Sequence, residues 1–87
     1  MRKKVTSIMK VSIKNIKDNG KTISCDVYPE AEDYGVSFLE IDKETGDVVK
    51  AEKNEGCYLM HLNMAASLLR KHRKDKAYED EYTKVCG

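Results

Sequence analysis

The sequence lacks the features that direct a protein into or across a membrane. In its 87 residues, no apolar run approaches the roughly 20 residues that a membrane-spanning helix requires. The basic start, MRKKVTSIMK, is followed by no apolar block like that of a signal peptide. We therefore expect a cytoplasmic protein with no membrane association.

A large excess of one charge is also missing. The chain has 16 Lys and Arg against 15 Asp and Glu, which gives a formal net charge of +1. Attraction to nucleic acid or anionic lipid would therefore require charges that are segregated on one surface. Hydrophobic residues make up 40% and charged residues 36% of the chain. This composition predicts one folded domain with a highly charged exterior.

Signatures of catalysis and metal binding are absent too. The chain contains no GxxxxGK(S/T), GxGxxG, HExxH or GxSxG pattern, so the sequence indicates no small-molecule substrate. Cys25, Cys57 and Cys86 lack the spacing of a disulfide-bonded secreted domain, which favours reduced thiols. Cys57 lies one helical turn before His61, but no CxxC pair accompanies them, and His72 is roughly 16 Å farther along the predicted helix. We expect no metal, no cofactor and no enzymatic activity.

What is present begins with two strands. Strict alternation of apolar and polar residues over 9–14 and again in KTISCDVY predicts a hairpin around Asp-Asn-Gly. A two-residue turn would pair Ile16 with Ile23, whereas a three-residue loop with a left-handed glycine would pair Ile13 with Cys25. We prefer the second register, because only that register places the apolar residues of both strands on one side.

The remaining chain predicts a second hairpin and one helix. VSFLEID and DVVKAE flank KETG, where Asp42 can accept hydrogen bonds from backbone amides and Gly46 can take positive φ. From Cys57 the apolar period becomes helical, with an arc formed by Tyr58, Leu62, Ala65, Ala66, Leu68 and Leu69. The predicted fold class is α+β: a four-stranded antiparallel β-meander with one carboxyl-terminal α-helix packed on one face. Residues 1–87 are expected to form one domain, with 78–87 as a loosely attached tail or a short extra turn.

The helix runs into a basic segment whose positive residues are Arg70, Lys71, Arg73, Lys74 and Lys76. They point around nearly the whole helix circumference, and each cation near the last turn typically gains about 0.3 to 1 kcal/mol from the helix dipole. We interpret them as a helix end. The alternative is a nucleic-acid-binding accessory protein, in which this segment joins a basic arm formed by Arg2, Lys3 and Lys4. The outward face of the first hairpin offers one aromatic residue, Tyr28, where a stacking surface for bases needs two or three.

Met60 and Met64 lie one turn apart on the side of the helix away from the apolar arc. They are expected to be exposed unless the tail covers them, and flexible thioethers suit adaptable contacts with a partner. A small meander also has two strand edges that can pair with an extended peptide or with another copy. The sequence thus favours a non-enzymatic cytoplasmic module that binds another protein, or itself, through the Met60 and Met64 surface or a sheet edge.

Overall fold

The computed structural model describes residues 9–29, 35–55 and 57–86, which form one antiparallel sheet with one α-helix packed on a face. The elements in chain order are β1 (Met9–Asp18), β2 (Thr22–Pro29), β3 (Ser37–Asp42), β4 (Val48–Glu52), α1 (Leu59–His72) and β5 (Glu81–Cys86). The sheet has five strands in the order β4-β3-β2-β1-β5. The α+β class is confirmed, but the predicted number of four strands is wrong.

The core lies between α1 and one face of the sheet. Seven inward apolar side chains of β1, β2 and β3 are at most 1% exposed, because the alternation in their sequences places every second residue beneath the helix: Val11, Ile13, Ile23, Cys25, Val27, Leu39 and Ile41. Leu69 and Ala65 of α1 are both fully buried against these strands. Burying one large apolar side chain typically contributes about 1.5 to 3 kcal/mol. This layer therefore contributes a large share of the free energy that stabilises the folded chain.

The first hairpin adopts neither of the predicted registers. Ile13 lies opposite Val27 and not opposite Cys25, because the pairing next to the turn joins Asp18 to Ile23 and a β-bulge, with Asn15 at a φ of 55°, then shifts the register by one residue. The partner of Ile13 has moved two positions along β2, and a shift of two keeps each side chain on its original face. The apolar residues of both strands consequently share the helix side as predicted. The turn glycine, Gly20, has the expected positive φ of 94°.

Most of the predicted carboxyl-terminal tail forms the fifth strand. Strand β5 pairs antiparallel with β1, and the hydroxyl oxygens of Ser12 and Thr83 lie 2.8 Å apart. The Tyr82 ring stacks on His72 of α1, with ring centroids 3.8 Å apart and planes 14° apart. Since β5 contacts both the sheet and the helix, the expectation of a loose tail at 78–87 is corrected for residues 81–86.

The helix α1 contains 14 residues. Among the described residues, no helix has both the length and the apolar character needed to cross a lipid bilayer.

Candidate protein-binding site

Strand β4 is the least covered strand of the sheet. All five of its residues are exposed, whereas β2 and β3 alternate buried with half-buried residues. The exposed fractions of Val48 and Val49 are 47% and 52%. The helix packs against β1, β2, β3 and β5, and β4 lies at the sheet edge beyond β3. Within the described residues, β4 has one hydrogen-bonded neighbour, so the backbone groups along its outer side face solvent.

The two faces of β4 differ in chemistry. Val48 and Ala51 lie opposite buried residues of β3, which places both side chains on the helix side of the sheet. Lys50 lies opposite Glu40 on the other side, called here the open face, and Glu52 shares that face. The edge therefore combines a small apolar surface with a pair of opposite charges.

The side chain of Lys50 lies back over its own sheet. Its Nζ is 3.6 Å from an oxygen of Glu52 and 5.7 Å from the ring centroid of Phe38. A lysine that projects outward from a strand commonly prevents edge-to-edge pairing. Here both contacts draw the ammonium group onto the open face, so the outer backbone of β4 stays accessible.

The turn before β4 is built as its sequence predicts. The Asp42 carboxylate accepts hydrogen bonds from the backbone N–H groups of Glu44 and Thr45 at 2.8 and 2.9 Å. These donors, with that of Thr45 the stronger, hold the pKa of Asp42 below its ordinary value. Gly46 has a φ of 82°. The local hydrogen bonds thus fix where β4 begins.

The same turn is fastened to the end of the helix by two arginines. Arg70 Nε donates to the carbonyl of Gly46 at 2.7 Å, and Arg73 Nε donates to the carbonyl of Lys43 at 3.1 Å. Both guanidinium groups therefore position β4 relative to α1. This structural use agrees with the interpretation of these cations as part of a helix end.

The three lysines of the basic segment form weaker contacts than its two arginines. Lys71 and Lys76 are exposed, and Lys74 Nζ lies 3.8 Å from an oxygen of Glu44. Arg2, Lys3 and Lys4 lie outside the described residues. The convergence of the two basic segments, on which the nucleic-acid alternative depends, therefore stays a prediction.

The two candidate methionines have different environments. Met60 is 52% exposed, but Met64 is 5% exposed, so the condition under which both would be exposed, that nothing covers them, does not hold for Met64. The buried arc of α1 is wider than predicted and also includes His61. The added strand β5 contacts α1 and widens the sheet beneath it. The structure therefore does not present Met60 and Met64 as one exposed surface.

The open face carries mixed charges. Tyr28 and Phe38 are half-buried there, and Lys14 Nζ lies 4.7 Å from the Tyr28 ring centroid. The carboxylate of Asp26 accepts a hydrogen bond from an asparagine amide of β1 at 2.8 Å, and that of Glu40 accepts one from a threonine hydroxyl of β2. Phe38 adds a second aromatic ring to the one that Tyr28 of the first hairpin supplies. The negative charges of the carboxylates on this face balance the positive charges of its lysines. As far as the described residues form it, this face therefore lacks the basic character of a nucleic-acid-binding surface.

A cavity of about 630 Å³ lies near the carboxyl-terminal end of the helix. Its lining residues come from both hairpin turns and the basic segment: Gly20, Lys21, Asp42, Lys43, Glu44 and Lys74. Lys43 forms an ion pair with Asp18, and Lys74 lies near Glu44. Two of the three ammonium groups thus have carboxylate partners, and the cavity is not a dedicated anion site.

Cys25, Cys57 and His61 have structural environments. His61 Nδ1 accepts a hydrogen bond from the backbone N–H of Tyr58 at 3.0 Å, which satisfies a donor at the start of α1. The Cys57 thiol lies 3.6 Å from the carbonyl oxygen of Tyr58. Burial raises the pKa of the Cys25 thiol to about 12, the opposite of what a nucleophile needs. In the described part of the chain, no three His, Cys, Asp or Glu side chains are grouped to hold a metal ion.

The chain has no significant match among protein-family models, curated proteins or solved structures. Its architecture defines it as a small α+β protein with one helix on a five-stranded antiparallel sheet and an exposed edge strand. The residues of that edge, Val48 to Glu52, were not singled out by sequence analysis. Two signals were present: DVVKAE is the last strand of the predicted meander and so lies at an edge, and it lacks the regular apolar alternation of the other strands.

Proposed function

We propose that this chain is a small, non-enzymatic protein-binding module that adds an extended segment of another polypeptide to the edge of β4. Such a segment gains affinity from backbone hydrogen bonds along the strand and specificity from its alternate side chains. The exposure of all five residues of β4 is the observation that carries this proposal.

The two faces of β4 set the chemistry of the bound segment. Its side chains on the helix side would cover Val48 and Ala51, which favours apolar residues at alternate positions. Its side chains on the open face would lie near Lys50 and Glu52, which favours one acidic and one basic residue. The preferred partner is therefore an extended segment with apolar residues on one side and charges of both signs on the other.

The other sheet edge is a poorer acceptor. The helix-side residues of β5, Tyr82 and Lys84, are half-buried, and α1 packs over this strand. Lys84 lies opposite the buried Val11 and so occupies the helix side of the edge. A charge on the inward side of an edge strand opposes addition of another strand. These differences support β4 as the binding edge.

Peptides selected from a random phage-displayed library test the proposal, because such a selection requires no named partner. We expect bound peptides to show alternating apolar and polar residues, and to shift the backbone amide resonances of β4 in NMR spectra. Val49→Lys should weaken binding by roughly tenfold or more, because it adds a charge at the edge.

Val85→Lys is the matched control, since Val85 is a 60% exposed valine on the opposite edge strand. It should leave peptide affinity unchanged. Binding that shifts resonances around Met60 and leaves β4 unaffected would move the function to the helix surface. A selection that yields no binder would contradict the proposal altogether.

A further inference from the structure

Strand β4 carries two opposite charges in the spacing that a two-fold interface requires. Lys50 and Glu52 lie on the open face, and Ala51 lies between them on the helix side. In a two-fold interface the same surface occurs on both copies, so each contact is made twice. Antiparallel pairing of two β4 strands around Ala51 places Lys50 of each copy opposite Glu52 of the other.

We propose that the chain forms a homodimer through this pairing, which joins two sheets into one continuous antiparallel sheet. The inference rests on the proposed function, because it names a second copy of the chain as the occupant of the β4 edge. Its basis is the charge complementarity of β4 with itself.

Side-chain direction limits the registers of this pairing. Residues directly opposite each other in an antiparallel sheet point to the same face. Pairing centred on Lys50 would oppose two ammonium groups, and pairing centred on Glu52 would oppose two carboxylates. Like charges in directly opposite positions are destabilising. Of the three centres from Lys50 to Glu52, Ala51 alone brings opposite charges together.

The helix side of the edge also favours a second copy. Leu59 of α1 is 68% exposed. It lies on the same flank of the helix as Arg70, because two residues that are 11 positions apart differ by only roughly 20° in their direction around the helix axis. Arg70 contacts Gly46, just before β4. A two-fold axis perpendicular to the joined sheet places both helices on one side, with these flanks facing each other. Association then removes part of the apolar surface of Val48 from water.

Sedimentation equilibrium tests the inference by measuring the dimer dissociation constant. We expect the unmodified chain to dimerise. Glu52→Lys and Lys50→Glu should each raise the dissociation constant by roughly tenfold or more, because two attractive pairs become repulsive. The double variant Lys50→Glu, Glu52→Lys should dimerise again. An equimolar mixture of the two single variants should form a heterodimer, since opposite charges meet in both cases.

Two controls separate this effect from unfolding and from net charge. Glu52→Lys removes the exposed contact of Lys50 with Glu52 within the chain but leaves Lys50 opposite Glu40, and its circular dichroism spectrum should match that of the unmodified protein. Glu79→Lys makes the same charge change at an exposed position before β5 and should leave the dissociation constant unchanged.

Measurements of dimerisation and of peptide binding test the dimer and the proposed function separately. A chain that stays monomeric but binds selected peptides at β4 overturns the dimer and keeps the protein-binding role. A dimer that is unaffected by both charge reversals also overturns the inference, because association then uses another surface. If neither dimerisation nor peptide binding at β4 is observed, both proposals are wrong.

Discussion

The buried thiol of Cys25 predicts a specific loss of stability at alkaline pH. Cys25 is 1% exposed, and burial, with a smaller contribution from the charge of Asp26, raises the pKa of its thiol from 9.0 to about 12. The thiol therefore stays protonated in the folded chain while it ionises in the unfolded chain. Its contribution to stability is complete below the unfolded pKa and is lost as the pH rises toward the folded pKa. The affected window runs from about pH 9 to about pH 12.

The size of the effect follows from this difference in pKa. Above the unfolded pKa, each pH unit lowers the free energy of unfolding by about 1.4 kcal/mol. Between pH 7 and pH 10, Cys25 alone should therefore remove about 1.4 kcal/mol, because only one unit of this interval lies above the unfolded pKa. Small domains have free energies of unfolding of about 5 to 15 kcal/mol, so the loss is readily measured.

Urea unfolding of the unmodified chain and of Cys25→Ala at pH 7 and pH 10 provides the assay. The substitution lowers stability at both pH values because it leaves a cavity in the core. The quantity of interest is the loss of stability between pH 7 and pH 10 in the unmodified chain minus the same loss in the variant, since all other side chains are common to both proteins. We expect the unmodified chain to lose about 1.4 kcal/mol more than the variant. Equal losses in the two proteins would refute the reasoning.

Other predictions address the termini, the turns and the basic segment. Deleting residues 79–87 should lower the thermal midpoint of unfolding by roughly 10 °C or more, because β5 pairs with β1; a loss of about 1 kcal/mol of stability lowers the midpoint of a small domain by about 4 to 8 °C. An unchanged midpoint would show that these residues are a loosely attached tail. The pKa of Asp18 is lowered mainly by a hydrogen bond from a lysine ammonium group. Asp18→Asn should therefore reduce the free energy of unfolding in urea at pH 7, and this difference between the variant and the unmodified chain should disappear as the pH falls below 3.8. Gly46→Ala and Gly20→Ala should each cost about 1 kcal/mol for positive φ. The Gly46 variant should lose more in the same urea assay, because its new Cβ would lie 3.3 Å from a side-chain carbon of Arg70, whereas the space beside Gly20 is open. Fluorescent DNA and RNA should not bind at low salt, and binding that weakens steeply with salt would favour the nucleic-acid alternative.

Local sequence patterns predicted most individual elements correctly. The alternation around Ile13 and Cys25 identified two strands with a common buried face, because a strand has a side-chain period of two whatever its partner. Asp42 and Gly46 marked the second turn, since a carboxylate near backbone amides and a residue free to adopt positive φ act within a few residues. The register of the first hairpin was predicted wrongly, because no local signal identified the pairing of Asp18 with Ile23 beside the turn or the bulge at Asn15.

The candidate site was less predictable than the elements that form it. Sequence analysis placed a strand at DVVKAE, but its exposure depends on which strands α1 covers. The exposure of Met60 and the burial of Met64 likewise depend on the width of the sheet beneath the helix. The helical period assigns each residue an angle around the axis, and the neighbouring elements decide how much of the circumference is buried.

Local sequence patterns were sufficient to predict the α+β class, the four amino-terminal strands, the helix and the cations of its last turn, because each depends on periodicity or on contacts between residues close in the chain. The pairing of the final residues with β1 became visible only in the folded chain, as in the contact between Ser12 and Thr83, which are 71 positions apart. Tertiary structure also decided that all five residues of β4 are exposed. Strand pairing and burial depend on long-range contacts that form only when the chain folds, and a local stretch of sequence carries no pattern that identifies them.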